Sequence, residues 1–150
     1  MDPSWVNNME MKIISKSGRI PKYETTGSAG FDISASCKEP FVLKAGERAL
    51  IPTGLYFEVP QGYEAQVRAR SGLAINHGIG LVNGIGTVDS DYRGEIRVPL
   101  INWSKDDFVI NDGERIAQVI ITACQQVELV QADELTDTER GQGGFGHTGR

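Results

Sequence analysis

Short apolar runs alternate with polar turns along the chain, and their length and spacing predict β-strands almost throughout. Several of these runs are rich in β-branched residues, which favour strands. Proline and glycine interrupt them at roughly the 8–12-residue spacing of a β-sandwich or barrel. The predicted strands are 41–43, 49–51, 55–59, 63–69, 95–100, 108–110 and 116–122. The pattern therefore predicts an all-β fold.

One segment, 71–76, has the pattern of a short helical turn instead. Ser71 is a suitable capping residue for its start, and Gly78 is a suitable end. The unpaired N–H groups at the start of such a turn favour an anion. We therefore expect a small anion site where this turn begins.

A polar segment around Asp89 lies between β-branched runs at 81–82 and 96–98. This arrangement predicts a hairpin whose tip holds polar groups on a rigid sheet. The segment contains a carboxylate at Asp89 and an aromatic ring at Tyr92, and the amide of Asn83 comes just before it. Ordinary turn chemistry is the simpler explanation of the same residues.

The residues after 138 differ in composition from the rest of the chain. They contain five glycines and a single large apolar residue, Phe145, so they bury too little surface to hold a fold. We predict one domain with a β-barrel core at 1–138 and a mobile arm at 139–150. The arm contains Arg140 and Thr148, which suit phosphate binding, although a functionless frayed terminus is the alternative.

Composition narrows the classes of function. A chain of 150 residues with 39% hydrophobic and 23% charged residues is one ordinary soluble domain. Its net charge of -5 argues against a nucleic-acid surface, and no apolar run suits a signal peptide or a membrane span. We expect Cys37 and Cys124 to be buried reduced thiols in a cytoplasmic protein without membrane partners. His77 and His147 are too far apart to form a metal cage.

Five motifs follow one another along nearly the whole chain: AGFDISA (29–35), RSGLA (70–74), NGIGTVDSDYRGE (83–95), GERIAQ (113–118) and RGQGGFGHTG (140–149). In this order they resemble the motifs of the trimeric deoxyuridine triphosphatases, also called dUTP pyrophosphatases. The resemblance implies a distorted jelly-roll barrel and a homotrimer with three active sites between subunits. It also implies hydrolysis of dUTP to dUMP and pyrophosphate, which limits uracil incorporation into DNA and supplies dUMP for thymidylate synthesis.

By this resemblance, Asp89 would be the general base that activates a water for in-line attack on the α-phosphate. A carboxylate suits that role beside a polyanion. Tyr92 would pack under the deoxyribose and reject a 2′-hydroxyl, unless it is simply a core tyrosine. Asn83 would recognise the uracil edge together with the backbone of Gly86, Thr87 and Val88.

The resemblance assigns the phosphate chain to Arg70, Ser71, Gly72 and Gln118. A structural ion pair is the alternative for Arg70, and a plain polar position on a strand face is the alternative for Gln118. Asp32 would hold Mg²⁺ through water, with the metal on the phosphate oxygens.

The arm would supply the remaining contacts. Phe145 would stack on the uracil, Arg140 would pair with the γ-phosphate, and Gly146, His147 and Thr148 would surround the phosphates. Closure of this arm over the site of its own or a neighbouring chain would exclude water.

The chain departs from the usual family pattern at two positions: Ala69 replaces a proline and His147 replaces a serine. Two other classes of function stay open. One is a dCTP deaminase of the same fold family, and the other is a non-catalytic nucleotide sensor that uses the same pocket.

Overall fold

The computed structural model describes residues 9–149, and these form ten strands and one short helix. The elements are β1 (Lys12–Ser15), β2 (Phe31–Ser34), β3 (Phe41–Leu43), β4 (Arg48–Glu58), β5 (Tyr63–Arg68), α1 (Ser71–His77), β6 (Ile79–Leu81), β7 (Gly86–Val88), β8 (Glu95–Asn102), β9 (Phe108–Ile110) and β10 (Arg115–Ala123).

The strands form two four-stranded antiparallel sheets and a separate pair. The first sheet has the order β1-β4-β8-β6, the second has the order β2-β10-β5-β7, and β3 pairs with β9. Alternate residues of both four-stranded sheets, such as Val98 on β8 and Val67 on β5, point into one hydrophobic core. The predicted all-β fold with one short helix is confirmed, and two such sheets around one core define a distorted jelly roll.

The runs predicted at 49–51 and 55–59 belong to one strand, β4. A register shift between Pro52 and Leu55 lets the strand continue through a proline that cannot donate to the ladder. The buried hydroxyl of Thr53 donates to the Ile96 carbonyl and accepts from the Leu55 N–H at 3.2 Å. Strands β1, β2, β6 and β7 were not among the predicted strands, and each has only three or four residues.

The predicted helical turn exists as α1, but its cap differs from the prediction. Arg70 is the N-cap, with an extended backbone and no capping side-chain hydrogen bond, and Ser71 is the first helical residue. The predicted capping role of Ser71 is therefore wrong, and its hydroxyl is not used at the cap. The helix ends as predicted at Gly78, whose φ of 66° is left-handed.

The flanks of the hairpin predicted around Asp89 do pair, because β6 is antiparallel to β8. The segment between them is not a simple tip, because it contains β7, which pairs with β5 in the other sheet. The turn at Gly84, where φ is 75°, directs the chain away from the first sheet, and β7 then joins the second. Asp89 therefore lies at a junction between the two sheets, on a crossing loop.

After β10 ends at Ala123, residues 124–149 form no helix or strand, and nearly all of them are exposed. Cys124 is exposed, so the prediction of a buried thiol is wrong there. Cys37 is half-buried, and burial raises the pKa of its thiol. Residues 1–8 of the predicted core and Arg150 of the predicted arm lie outside the described residues. Within 9–149, no helix is long and apolar enough to cross a membrane.

Candidate active site

The junction between the sheets contains a cavity of about 530 Å³, which we call the junction cavity. Strand β7 and the loop that follows it line one side, and strand β8 lines another. Six predicted site residues lie together in its wall: Asn83, Gly86, Thr87, Val88, Asp89 and Tyr92. Sequence reasoning had grouped these residues, although it misjudged how the strands connect.

Tyr92 is held at the rim of this cavity by its own loop. Its N–H donates to the Asp89 carbonyl at 3.2 Å, and its hydroxyl donates to the Glu95 carbonyl at 2.9 Å. The ring lies directly on Gly94, where an added Cβ would be 2.6 Å from the Tyr92 Cζ atom. Tyr92 is 44% exposed, so it is not a core tyrosine.

Arg93 fastens the same loop to the neighbouring strand. One guanidinium nitrogen donates to the Ser90 carbonyl at 2.6 Å and to the Tyr92 carbonyl at 3.2 Å, and the other lies 3.5 Å from the Glu58 carboxylate on β4. An exposed ion pair adds little stability, but these three contacts fix one loop conformation. The sequence predicts no role for Arg93, because its position in the motif does not show which backbone carbonyl groups its side chain contacts.

Asn83 lies in the turn between β6 and β7, beside Gly86. An added Cβ at Gly86 would be 3.3 Å from the Val67 Cβ and 3.5 Å from the Asn83 Nδ2. The absence of a side chain there leaves the backbone open to close approach by a flat ligand. Among the described residues, the Asn83 side chain has no hydrogen-bond partner, so its donor and acceptor face outward.

A second group, which we call the Asp32 cluster, consists of Asp32, Arg70 and Arg115. Arg70 Nε lies 3.4 Å from one Asp32 oxygen, and Arg115 Nη1 lies 3.2 Å from the other. Arg70 also donates to the Arg115 carbonyl at 3.2 Å, and Gln118 donates to the Ala69 carbonyl at 2.9 Å. The ion pair considered for Arg70 is thus present, and it holds the guanidinium beside the start of α1.

Asp32 fits a metal ion through water better than by direct contact. One Asp32 oxygen accepts a hydrogen bond from Arg115 and the other forms an ion pair with Arg70, yet each retains a lone pair for a water molecule. Within the described part of the chain, no three His, Cys, Asp or Glu residues form a group that could hold a metal. These residues therefore suit Mg²⁺, which keeps several waters and binds phosphate oxygens.

Within a single chain, the predicted arm residues lie neither at the junction cavity nor at the Asp32 cluster. Arg140 donates to the Gly143 carbonyl at 2.7 Å, and the His147 ring lies against Gly143. Phe145 is fully exposed, at 112% relative accessibility. None of Arg140, Phe145, Gly146, His147 and Thr148 lines the junction cavity.

A carboxylate, an aromatic ring and an amide around one cavity, with cationic side chains on the same fold, define a nucleotide hydrolase of the jelly-roll class. The family comparison makes this specific. The family model described as dUTPase matches residues 16–149. The chain belongs to the dUTPase family.

Individual relatives agree with this assignment over nearly their full length. The deoxyuridine 5′-triphosphate nucleotidohydrolase of Fusobacterium nucleatum is 51% identical over 146 residues, covering 97% of this chain and 100% of the relative. A Staphylococcus bacteriophage 80alpha dUTPase solved with dUPNHPP has a TM-score of 0.82 and 26% identity, covering 96% of this chain and 100% of that one. The predicted hydrolase class is confirmed, and a deaminase is not favoured.

A third likeness concerns the fold alone. A mutant dUTPase from phage phi11 of S. aureus is 23% identical, with a TM-score of 0.77, and covers 86% of this chain and 100% of its own. That structure is described with a coordinated structural Mg(II) ion.

Proposed function

We propose that this protein hydrolyses dUTP to dUMP and pyrophosphate, limiting uracil incorporation into DNA and supplying dUMP for thymidylate synthesis. The observation that carries the proposal is the junction cavity, in which Asp89, Tyr92 and Asn83 line one space. Membership of the dUTPase family gives that space its substrate.

Asp89 acts as the general base in this proposal. Its carboxylate accepts a proton from a water molecule, and the water oxygen attacks the α-phosphorus in line with the leaving pyrophosphate. The loop contacts from Tyr92 to the Asp89 carbonyl and from Arg93 to the Ser90 carbonyl hold this carboxylate in place. Fixed geometry matters here, because positioning provides much of the rate in phosphoryl transfer.

Sugar and base selection follow from the walls of the cavity. In this proposal, the Tyr92 ring, fixed on Gly94, packs against the deoxyribose, and a ribose 2′-hydroxyl would meet the ring and lose its hydrogen bonds. Asn83 offers both a donor and an acceptor to the uracil edge. The backbone of Gly86, Thr87 and Val88 forms the narrow wall against which a thymine methyl group would collide.

Arg70, Ser71, Gly72 and Gln118 bind the phosphate chain. Arg70 is already oriented by Asp32, and the hydroxyl and N–H of Ser71 are not used in capping the helix. The family indicates a divalent metal cofactor, and we propose that it is Mg²⁺, held through water by Asp32. Its chemistry there is to neutralise charge on the phosphate oxygens.

The arm completes the site in a homotrimer. In a single chain, Phe145 stays exposed and Arg140 folds back on its own segment, so both are available to another copy. We propose that Phe145 covers the uracil and that Arg140, Gly146, His147 and Thr148 close around the phosphates. Two free cysteines fit the reducing cytoplasm as the place where the trimer works.

The direct test is pyrophosphate release from dUTP, dTTP, dCTP and UTP, each with Mg²⁺. We expect rapid release from dUTP and at least tenfold slower release from the others, since each violates one wall of the cavity. Comparable turnover of UTP and dUTP would refute the role of Tyr92. Ammonia release from dCTP would point to a deaminase.

A further inference from the structure

Strand β10 contains an irregularity next to the Asp32 cluster. Pairing with β2 is regular from Val119 to Ala117, but the next pair is Arg115 with Ser34. Ile116 is therefore an extra residue with no partner across the ladder, which is a β-bulge.

The bulge decides which face of the sheet Arg115 occupies. Side chains alternate faces along a regular strand, so if β10 ran through Ile116 without a bulge, Arg115 would share the buried face of Ala117. With the bulge, Ile116 and Ala117 are both buried in succession, and Arg115 joins Gln118 and Asp32 on the outer face. The bulge thus places a cation on the proposed phosphate side rather than on the core side.

On that face, Arg115 closes a ring of contacts. Its guanidinium lies 3.2 Å from Asp32 Oδ2, and its carbonyl accepts a 3.2 Å hydrogen bond from Arg70 Nη1. Arg70 Nε in turn lies 3.4 Å from Asp32 Oδ1. One carboxylate is shared between two guanidinium groups, so the cluster keeps one net positive charge.

We propose that Arg115 is a positioning residue for triphosphate binding. This inference rests on the proposed function. Arg115 contacts one of the two Asp32 carboxylate oxygens, so the negative charge of Asp32 is shared between two guanidinium groups. The positive charge of Arg70 is therefore not fully neutralised, and these contacts fix the orientation of its side chain. Its effect falls on the phosphate chain, because Arg115 does not line the junction cavity that holds the nucleoside.

The test compares Arg115→Gln with Arg115→Lys, and uses Arg48→Gln as the control. Arg48 is an exposed arginine at the start of β4 with no ion pair among the described residues, so its loss changes the net charge equally. Calorimetry measures the affinity of each protein for the α,β-imido analogue of dUTP and for dUMP, with Mg²⁺ present. Steady-state kinetics with dUTP give kcat and KM.

We expect Arg115→Gln to bind the analogue about tenfold more weakly, because the loss of a residue that orients a ligand-binding side chain commonly weakens binding by about this factor. Binding of dUMP should change less than twofold, and Arg115→Lys should recover most of the lost affinity. The loss should shrink as salt is added, since half-exposed charges are screened. Arg48→Gln should bind both ligands like the wild type.

Equal weakening for dUMP and the analogue would overturn the inference, because a merely structural role loosens the whole site. Unchanged analogue binding in Arg115→Gln would overturn it too. If Arg115→Gln does not fold, Arg115→Met keeps the aliphatic stem without the charge and answers the same question. A wild-type protein that fails to bind the analogue would instead refute the proposed function.

Discussion

The junction cavity and the C-terminal segment differ in how they are held, although both contain residues assigned to one substrate. The cavity is built on strands β7 and β8, and its loop is fastened by Tyr92 and Arg93. The segment 124–149 has no regular structure, and the hydrogen bonds of its last dozen residues stay within it. One half of the site is therefore complete before any ligand arrives.

Because of this difference, we expect substrate recognition to depend on the junction cavity and closure of the site to depend on the arm. A site held by the core has already lost its conformational freedom during folding, whereas a glycine-rich segment loses its freedom only when a ligand or a partner orders it. Changes in the cavity should thus alter chemistry and selectivity, and changes in the arm should alter turnover with little effect on stability.

The largest effect is expected for Asp89→Asn. Loss of the general base should lower kcat by roughly 10²-fold or more, while binding of the α,β-imido analogue stays within a few-fold of the wild type. Pyrophosphate release and calorimetry measure the two quantities. Normal turnover in this variant would place the base outside the junction cavity.

Deletion of every residue after Glu139 should come next. We expect turnover to fall by about 10²-fold, because misaligned and hydrated phosphates react slowly. The melting temperature should stay unchanged, since the arm contributes nothing to the buried core, and dUMP should still bind through the junction cavity. A large drop in melting temperature would show that the arm is part of the folded body.

Joint refolding of the deleted chain with Asp89→Asn chains tests whose site the arm closes. If the arm reaches a neighbour, mixed trimers contain some sites with an intact Asp89 and an intact arm, and part of the activity returns. Activity no greater than the sum of the two separate proteins would mean that each chain closes its own site.

Gly94→Ala should have a smaller, selective effect. A methyl group there would overlap the Tyr92 hydroxyl and push the ring from its place, so the preference for dUTP over UTP should fall about tenfold. The ratio of kcat/KM for the two nucleotides measures it. Gly27→Ala, where an added Cβ meets nothing within 4 Å, is the control and should keep the preference.

The smallest effect is on how stability depends on pH, and it comes from the ion pair between Arg19 and Asp112. Two hydrogen bonds from Arg19, and one from the Cys37 N–H, hold the pKa of Asp112 below its usual range. The charged form is favoured in the folded state, so this stabilisation is present above the unfolded pKa of about 3.9 and is lost as pH falls through the folded pKa.

Thermal melts of the wild type and Asp112→Asn between neutral pH and pH 3 test this pair. The wild type should melt slightly higher near neutral pH, and the difference should shrink as the pH falls below about 3.9. The effect is small because the carboxylate is exposed. A difference that stays constant down to pH 3 would assign the stabilisation to something other than the charge.

Sequence periodicity predicted the long strands well, most clearly β8, in which every second residue from Ile96 to Asn102 is buried. The prediction failed where pairing between strands outweighed the local preference of the sequence. Pro52 looked like a strand end but lies in a bulge within β4, and β7 left the expected hairpin because β5 offers it a partner.

The candidate site was predictable to the extent that it lies in continuous motifs. Asn83, residues 86–89 and Tyr92 line one cavity as expected, because so short a segment cannot carry them far apart. Arg115 received no role, since its contact with Asp32 depends on a bulge that changes its face. The one trace of that bulge in the sequence is the pair Ile116 and Ala117, two apolar residues where alternation calls for one.

The exposed apolar residues after β10 have a consequence for how specific activity depends on protein concentration. Val127, Leu129, Val130 and Leu135 are each 72–91% exposed in a single chain. Covering each one in the proposed trimer would contribute up to about 1.5–3 kcal/mol, so their burial there would favour association. Under the proposed assembly, dilution itself acts as an inhibitor: specific activity should fall with protein concentration below the trimer's dissociation constant, with no change in any residue of the cavity.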